Sequence, residues 1–201
     1  MSAYPLITIS RQYAAYGRTV AKGLSERLGI PYYDRDFVKK TAESSGYAEE
    51  DIIREGEDIS KGSRFWNSFL NNATVYSSSY DGIFAAESKV ILELSQEPCI
   101  IVGRCADYIL RDREDCLHVF IHADNEHRAK RILEKYGTTD KTISQRIKDK
   151  DNRRRNYYRF HTDREWGVAA NYNLALDSGV LGDELCVELI RQFYSLPRQF
   201  R

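Results

Sequence analysis

The stretch from residue 6 to residue 31 limits the architecture more than any other part of the 201-residue chain. Leu6-Ile7-Thr8-Ile9 is a short apolar, β-branched run, long enough for a buried strand and too short for a helix. A loop at 12–17 follows it. Val20, Ala21, Leu24 and Leu28 then fall on one helical face, Gly29 stops the helix, and Pro31 lies just beyond. Residues 30–33 read as a second strand. Cys99-Ile100-Ile101-Val102 and Leu117-His118-Val119-Phe120-Ile121 read as two more, each followed by a helical pattern. Leu174-Ala175-Leu176 is a shorter fifth candidate, and Leu185, Leu189 and Phe193 give the last helix an apolar stripe. Near-continuous apolar strands alternating with helices require parallel pairing, right-handed crossovers and a sheet covered on both faces. The fold class is α/β.

Two segments stand outside this alternation. Residues 36–96 carry helical patterns without a convincing strand and read as a helical insertion; within it, 67–80 is polar, aromatic and rich in Ser and Asn, a loop or exposed edge. Residues 141–158 are strongly basic and poor in apolar side chains, the composition of a solvated helix or of a flap over a site. Charged residues make up 30% of the chain and cancel to a formal net charge of +0, which argues against a dedicated nucleic-acid or polyanion binder. Cys99, Cys105, Cys116 and Cys186 form neither a disulfide framework nor a zinc pattern, so a reducing compartment is expected. The start of the chain lacks a basic leader region, and no run approaches the ~20 apolar residues of a membrane helix. The expectation is a soluble, cytoplasmic protein without membrane partners; the oligomeric state stays open.

Four places could carry chemistry. The first is the turn Ser10-Arg11-Gln12-Tyr13-Ala14-Ala15-Tyr16-Gly17-Arg18-Thr19 between the first strand and helix. A phosphate loop needs backbone N–H groups converging at a helix N-terminus, a cation, and a hydroxyl for magnesium. Gly17, Arg18 and Thr19 occupy the glycine, cation and hydroxyl positions, but Gln12 replaces the first glycine of GxxxxGK[ST], and Arg is a planar fork rather than a point charge. An ordinary turn with a surface arginine is the competing reading. The second is Arg104, at a strand's carboxyl end where open α/β sheets collect ligands; its fork suits a phosphate or carboxylate, or else pairs with a nearby Asp in a capping turn. The third is Lys148-Asp149-Lys150-Asp151-Asn152-Arg153-Arg154-Arg155, either a mobile source of cations for phosphoryl transfer or a solvated charged helix. The fourth is Asp34 with Asp36, able to orient an acceptor or magnesium-bound water, Asp36 serving equally as a helix N-cap. The histidines do not cluster, and Cys105 reads as a small packing residue.

Taken together, these segments resemble the cytidylate kinase-like family. The resemblance lies in Ile7-Thr8-Ile9-Ser10-Arg11-Gln12-Tyr13 with Gly17-Arg18, in Leu28-Gly29-Ile30-Pro31-Tyr32-Tyr33-Asp34, and in Ile100-Ile101-Val102-Gly103-Arg104-Cys105-Ala106-Asp107. It continues through Val119-Phe120-Ile121-His122-Ala123, Arg128, Arg131-Ile132, Asp151, Arg154, Tyr157-Tyr158, Trp166 and Tyr172-Asn173-Leu174. The resemblance implies one three-layer P-loop kinase domain over 1–201, with a five-stranded parallel sheet, a helical substrate-binding insertion at about 36–96 and a basic lid at about 138–160. It implies transfer of the γ-phosphoryl of ATP, with Mg2+, to a nucleoside monophosphate. By that analogy Ala14, Ala15, Tyr16, Gly17, Arg18 and Thr19 meet ATP, and Thr19 the metal. Arg104, Asp34 or Asp36, Asp151 and Arg154 face the acceptor, and Lys148, Arg153 and Arg154 come from the lid. Relatives usually carry Gly-Ser-Gly-Gly where this chain has Ala14-Ala15-Tyr16-Gly17, so the Tyr16 ring must be housed somewhere and Cβ atoms stand where φ > 0 is wanted.

The leading expectation is therefore an ATP-dependent kinase acting on a nucleoside monophosphate, cytidylate-like, or a similar small phosphorylated acceptor. The alternative is a catalytically weak or inactive nucleotide- or anion-binding module with a degenerate loop. A third, minor reading has residues 148–159 binding RNA or DNA, with Tyr157, Tyr158 and Phe160 as stacking groups.

Overall fold

The computed structural model describes residues 5–34, 36–46, 48–50, 52, 77–137 and 142–196. In chain order the elements are β1 (Leu6–Arg11), α1 (Gly17–Leu28), β2 (Tyr32–Tyr33), α2 (Asp36–Ser45), α3 (Ser77–Leu94), β3 (Cys99–Val102) and α4 (Ala106–Ile109). After these come β4 (Cys116–His122), α5 (Asn125–Tyr136), α6 (Ile143–Thr162), a 3-10 turn at Ala169–Asn171, β5 (Leu174–Asp177) and α7 (Ser178–Ser195). Local chemistry sets several boundaries. Gly29 takes φ 68° and returns its N–H to the Ser25 carbonyl at the end of α1. Side-chain oxygens of Asp124, Thr142 and Asp177 accept from first-turn N–H groups of α5, α6 and α7.

The five strands form one parallel sheet in the order β2-β3-β1-β4-β5. β1 therefore lies at the centre, in register with β3 on one side and β4 on the other. The chain leaves β1 in one direction, returns to β3 and crosses to β4, so the carboxyl end of β1 is where a crevice for ligand opens.

Strand alternation divides the core in two. Ile7, Ile9, Ile100, Val102, Leu117, Val119 and Ile121 face α1 and α7, packing on Val20, Leu24, Val187 and Ile190. Leu6, Cys99, Ile101 and Cys116 face the opposite side and pack on Val90 and Ile91 of α3 and on Ala106 and Leu110. Burying one such aliphatic side chain contributes about 1.5–3 kcal/mol. The second face turns polar towards the carboxyl ends, where Thr8, Ser10 and His118 are buried. The Thr8 hydroxyl lies 2.8 Å from His118 Nδ1 on the paired strand.

The apolar stripe expected on the last helix lies elsewhere. Cys186, Val187 and Ile190 are the buried apolar positions of α7, with Ser178 buried at its start, and Leu185 and Phe193 are exposed at 45% and 40%. The helix is apolar on most sides, so periodicity alone could not choose its inner face. The basic segment at 141–158 also differs from a solvated helix: Ile147, Asp151, Tyr157, Tyr158 and Thr162 of α6 are buried. With Tyr157 and Tyr158 buried, they offer no open stacking platform to a nucleic acid. The middle of the 36–96 insertion, including most of 67–80, lies outside the described residues. All four cysteines are free and buried, and no described helix is long and apolar enough to cross a membrane.

His118 generates a pH test. Burial holds its pKa at about 4, below the ordinary value of 6.5. The unfolded chain therefore takes up this proton first as pH falls, so stability present above pH ~6.5 is lost progressively towards pH ~4, by about 3 kcal/mol in total. Denaturant titrations from pH 7 to pH 4 are expected to show this loss, and a His118→Gln variant to show a shallower dependence over the same window.

Candidate functional site

The loop between β1 and α1 is held from outside by side chains. Gln12 N–H donates to the Ile121 carbonyl at 2.9 Å, and Ala123 N–H donates to Gln12 Oε1 at 3.2 Å. The next three carbonyls accept from the α5 and α7 side: Tyr13 from Arg128, Ala14 from Arg131 at 3.3 Å, and Ala15 from the Ser178 hydroxyl at 2.9 Å. These contacts impose a left-handed backbone on Ala14 (φ 60°) and Tyr16 (φ 58°), a strained conformation for residues bearing Cβ. The Tyr16 ring is housed by stacking, its centroid 3.5 Å from the Arg131 guanidinium.

Tyr16 caps α1 with no side-chain hydrogen bond, and the first helical bond is Val20 N–H to the Tyr16 carbonyl at 2.9 Å. The N–H groups of Gly17, Arg18 and Thr19 therefore fall in the first turn, which has no intrahelical acceptor, and carry the positive end of the helix dipole. That arrangement is suited to an anion.

Cations converge on the same end of the sheet. Arg11, the last residue of β1, lies across Gly17 and Gly103: a Cβ on Gly17 would stand 2.5 Å from Arg11 Cβ, and one on Gly103 would stand 2.1 Å from Arg11 Nη1. Asp34, just beyond β2, accepts from Arg11 at 3.4 Å and from Arg18. Arg154 of α6 donates to the Arg11 carbonyl at 3.0 Å. Arg104, at φ 55° after β3, pairs at 2.8 Å with Glu87 of α3, which is fully buried. Burial first, then the neighbouring Arg154, brings the Arg11 pKa down to about 9, with Arg18 and Arg104 acting in the same direction and Asp34 opposing. The Arg154 pKa is likewise lowered, chiefly by burial. Guanidiniums crowded in a desolvated place disfavour one another's charge, and a bound polyanion removes that conflict.

The sequence-derived candidates thus separate. Ala14 to Thr19 form the loop and first turn, with Ala15 buried in the core and Thr19 exposed. Arg18, Asp34, Arg104 and Arg154 are brought together around Arg11. Asp151 instead braces the loop: it accepts the Tyr13 N–H at 2.8 Å and an Arg128 guanidinium N–H at 2.5 Å, both partners of the ion pair being buried. Lys148 is exposed and lines a groove of about 620 Å³ between α5 and α6, with Asn125, Ala129, Ile147 and Arg155. Arg153 is half-buried on α6, and Asp36 opens α2 with its side chain outside the described residues. Arg104 pairs with Glu87 rather than with an aspartate. Burial pushes the Cys105 thiol well above its ordinary pKa, as suits a packing residue. Among the described residues no group of three or more His, Cys, Asp or Glu could hold a metal ion.

Several participants escaped the sequence reading. Arg11 sits inside the quoted loop motif but reads as a strand terminus. Glu87 carries a signal only through partners distant in sequence, and Asp107 and Arg128, though part of the family resemblance, have no role that the sequence assigns. One local signal existed: Ile147, Asp151, Arg154, Tyr158 and Thr162 recur at helical spacing, so α6 has an inner stripe that is mostly polar.

A model of the cytidylate kinase-like family matches residues 6–180, and the chain belongs to that family. An uncharacterized protein from Eubacterium ventriosum ATCC 27560 has the same fold, with a TM-score of 0.70 at 22% identity over 96% of this chain and 99% of that one. Shikimate kinase from Acinetobacter baumannii, solved in complex with shikimate, gives a TM-score of 0.53 at 16% identity over 94% and 92% of the two chains. A gluconokinase from Sinorhizobium meliloti 1021 gives 0.51 at 15% identity over 94% and 95%. At such identities the likeness is one of fold: the parallel sheet and its helices are those of P-loop kinases. No curated protein matches the sequence.

The Asp151 brace makes a direct prediction. Asp151→Ala leaves the buried Arg128 charge without its carboxylate and the Tyr13 N–H without its acceptor, a change that typically costs about 3–5 kcal/mol. Chemical denaturation is expected to show a loss of that size, against little change for Lys148→Ala in the adjoining groove.

Proposed function

We propose that this member of the cytidylate kinase-like family is an ATP-dependent phosphotransferase whose acceptor is a nucleoside monophosphate, cytidylate-like, or a similar small anion. The observation that carries the reading is the set of guanidiniums around Arg11, at the N-terminus of α1 and the carboxyl end of the central strand. Two phosphorylated ligands meeting there would supply the negative charge that this set lacks.

The residues divide by which ligand they approach. The loop and first turn, Ala14 to Thr19, take the donor phosphates through backbone N–H groups, with Arg18 beside them. Arg104 takes the acceptor's anionic group, and Asp34, bonded to both Arg11 and Arg18, orients the acceptor. Arg154 reaches both halves from α6 and stabilises charge on the transferring group, with Arg153 and Lys148 as further cations of a lid at about 138–160. The helical insertion at about 36–96 is the substrate-binding part of this reading. Transfer breaks the bond between the γ-phosphorus and its bridging oxygen and forms a bond to an acceptor oxygen. When that oxygen belongs to a phosphate it already carries charge, so positioning and charge neutralisation do the work and no general base is required. Magnesium would screen the donor phosphates. The Thr19 hydroxyl in the first turn is the ligand this chain offers, and a magnesium carried largely by phosphate and water needs few protein ligands.

A second reading, binding without turnover, draws support from the loop itself. Ala14 and Tyr16 carry Cβ atoms at positive φ, and the Tyr13 N–H already donates to Asp151. Calorimetric titration with Mg-ATP, followed by a panel of nucleoside monophosphates monitored for ADP, separates the two. Micromolar binding that weakens at least tenfold in Arg18→Ala, with ADP released in the presence of an acceptor, is the expected outcome. Arg154→Ala is expected to lower kcat by about 100-fold, as removal of one transition-state charge contact does, with a smaller change in Mg-ATP affinity. Binding without ADP across the panel would favour the second reading, and no binding at all would overturn both.

A further inference from the structure

Consecutive tyrosines of α6 each donate to a different buried carboxylate. Tyr157 donates to Glu87 Oε2 at 2.5 Å, and Glu87 Oε1 pairs with Arg104 Nη1 at 2.8 Å. Tyr158 donates to Asp107 Oδ2 at 2.7 Å, and Asp107 Oδ1 accepts from the Ser10 hydroxyl at 3.2 Å. Ser10 immediately precedes Arg11 in β1. One and two turns earlier in α6, Arg154 and Asp151 bond the Arg11 carbonyl and the Tyr13 N–H respectively. Residues 151, 154 and 158 thus hold the phosphate-loop half of the site, and residue 157 alone among these reaches Arg104.

Nothing in the proposed chemistry uses Glu87. It is fully buried on α3, within the insertion segment. Burial raises its pKa, and the nearby Arg104 and the Tyr157 hydroxyl act the other way. Such a carboxylate is retained only where its partners are held in place, and here they come from two elements besides its own, the turn after β3 and α6. With one Glu87 oxygen on Arg104 and the other on Tyr157, any displacement of α6 alters the support of the Arg104 fork. Phe84 of α3 and Cys105 and Trp166 pack with Tyr157 and Tyr158 in one cluster, so the tether sits in a water-poor setting where a hydrogen bond to charge is strong.

We propose that Glu87 and Tyr157 are positioning residues that tie α6 to Arg104, so that acceptor binding and docking of α6 are one coupled event. The acceptor part rests on the phosphotransferase reading above; the tether itself does not. An anion on the remaining donors of Arg104 fixes the guanidinium, Glu87 and Tyr157 in turn, and α6 is held more firmly over the loop. Tyr158 bonds Asp107, which lies in the first turn of α4 three residues beyond Arg104 and accepts from Ser10 of β1, so its link runs to the backbone of that turn and not to the Arg104 guanidinium.

The test uses the full chain and the Tyr157→Phe variant, which keeps the ring and removes only the hydroxyl, with Tyr158→Phe for comparison. Hydrogen exchange of α6 amides is followed without ligand, with CMP and with Mg-ATP, beside calorimetric affinities for both. Without ligand, Tyr157→Phe is expected to raise α6 exchange at least threefold while β1 and β4 amides keep their wild-type rates. CMP is expected to slow α6 exchange in wild type and not in Tyr157→Phe, whose CMP affinity falls five- to tenfold while its Mg-ATP affinity stays within twofold. Tyr158→Phe is expected to loosen α6 with a smaller loss of CMP affinity. Equal losses for both ligands in both variants would assign the tyrosines a merely structural role and overturn the coupling. Wild-type α6 exchange in ligand-free Tyr157→Phe would overturn the tether. If wild type binds Mg-ATP and not CMP, the acceptor reading and the coupling fall together, whereas the ligand-free comparison still decides the tether.

Discussion

The Arg11 side chain leaves the end of the central strand and lies across Gly17 and Gly103, where any Cβ would meet it. This close approach sets the rest of the site. Gly17 must begin α1 and Gly103 must follow β3 for the guanidinium to pass, and Asp34 must stand beyond β2 to accept from it. Three elements that are separate in sequence are thereby gathered at the end of one strand. Burying this guanidinium beside other cations is unfavourable by itself, as the Arg11 pKa shows, lowered first by burial and then by Arg154. Protein stability elsewhere sustains it.

The loop solves in an unusual manner a problem that glycine normally solves. Where glycines would adopt positive φ freely, this chain forces Ala14 and Tyr16 into that region through hydrogen bonds to consecutive carbonyls. Arg128, Arg131 and Ser178 are the donors, and Asp151 secures the adjacent Tyr13 N–H. The strain of order 1–3 kcal/mol per such residue is met by long-range polar contacts instead of being avoided. The two bulky side chains of the loop are absorbed in the same way, Tyr16 beneath Arg131 and Tyr13 within reach of Arg146 and Arg154. A loop built like this depends on α5 and on the Asp151 turn of α6 staying in position.

The same logic explains the composition of α6. A helix seated against carboxylates, a carbonyl and a backbone N–H needs polar side chains on its inner face. Its inner face carries Asp151, Arg154, Tyr157 and Tyr158, each with a partner of matching polarity in a different element. Buried hydrogen bonds of this kind are strong only when every geometry is met. The basic outer composition concealed this face in the sequence, because a search for apolar periodicity passes over a stripe made of charges and phenols.

The amino-acid sequence by itself determined the α/β class, all five strands, the strand-loop-helix around Gly17 and the kinship with cytidylate kinase-like proteins. These depend on runs of β-branched residues and on glycines at helix ends, which act over a few neighbouring positions. Asp34 and Arg104 stand out in it as residues at strand ends, and Arg18 and Arg154 as cations of the loop and the basic segment; the structure brings all four near Arg11. Only the tertiary structure decided that Arg11 lies at the centre of them, that Glu87 is the partner of Arg104, and that Asp151 braces the loop rather than standing open to an acceptor. It also chose the buried face of α7, because a helix apolar on most sides takes its orientation from the surface it meets. Local propensity is a property of adjacent residues, whereas the partner of a buried charge is set by the sheet order that brings residues 11, 34, 87, 104 and 154 to one place.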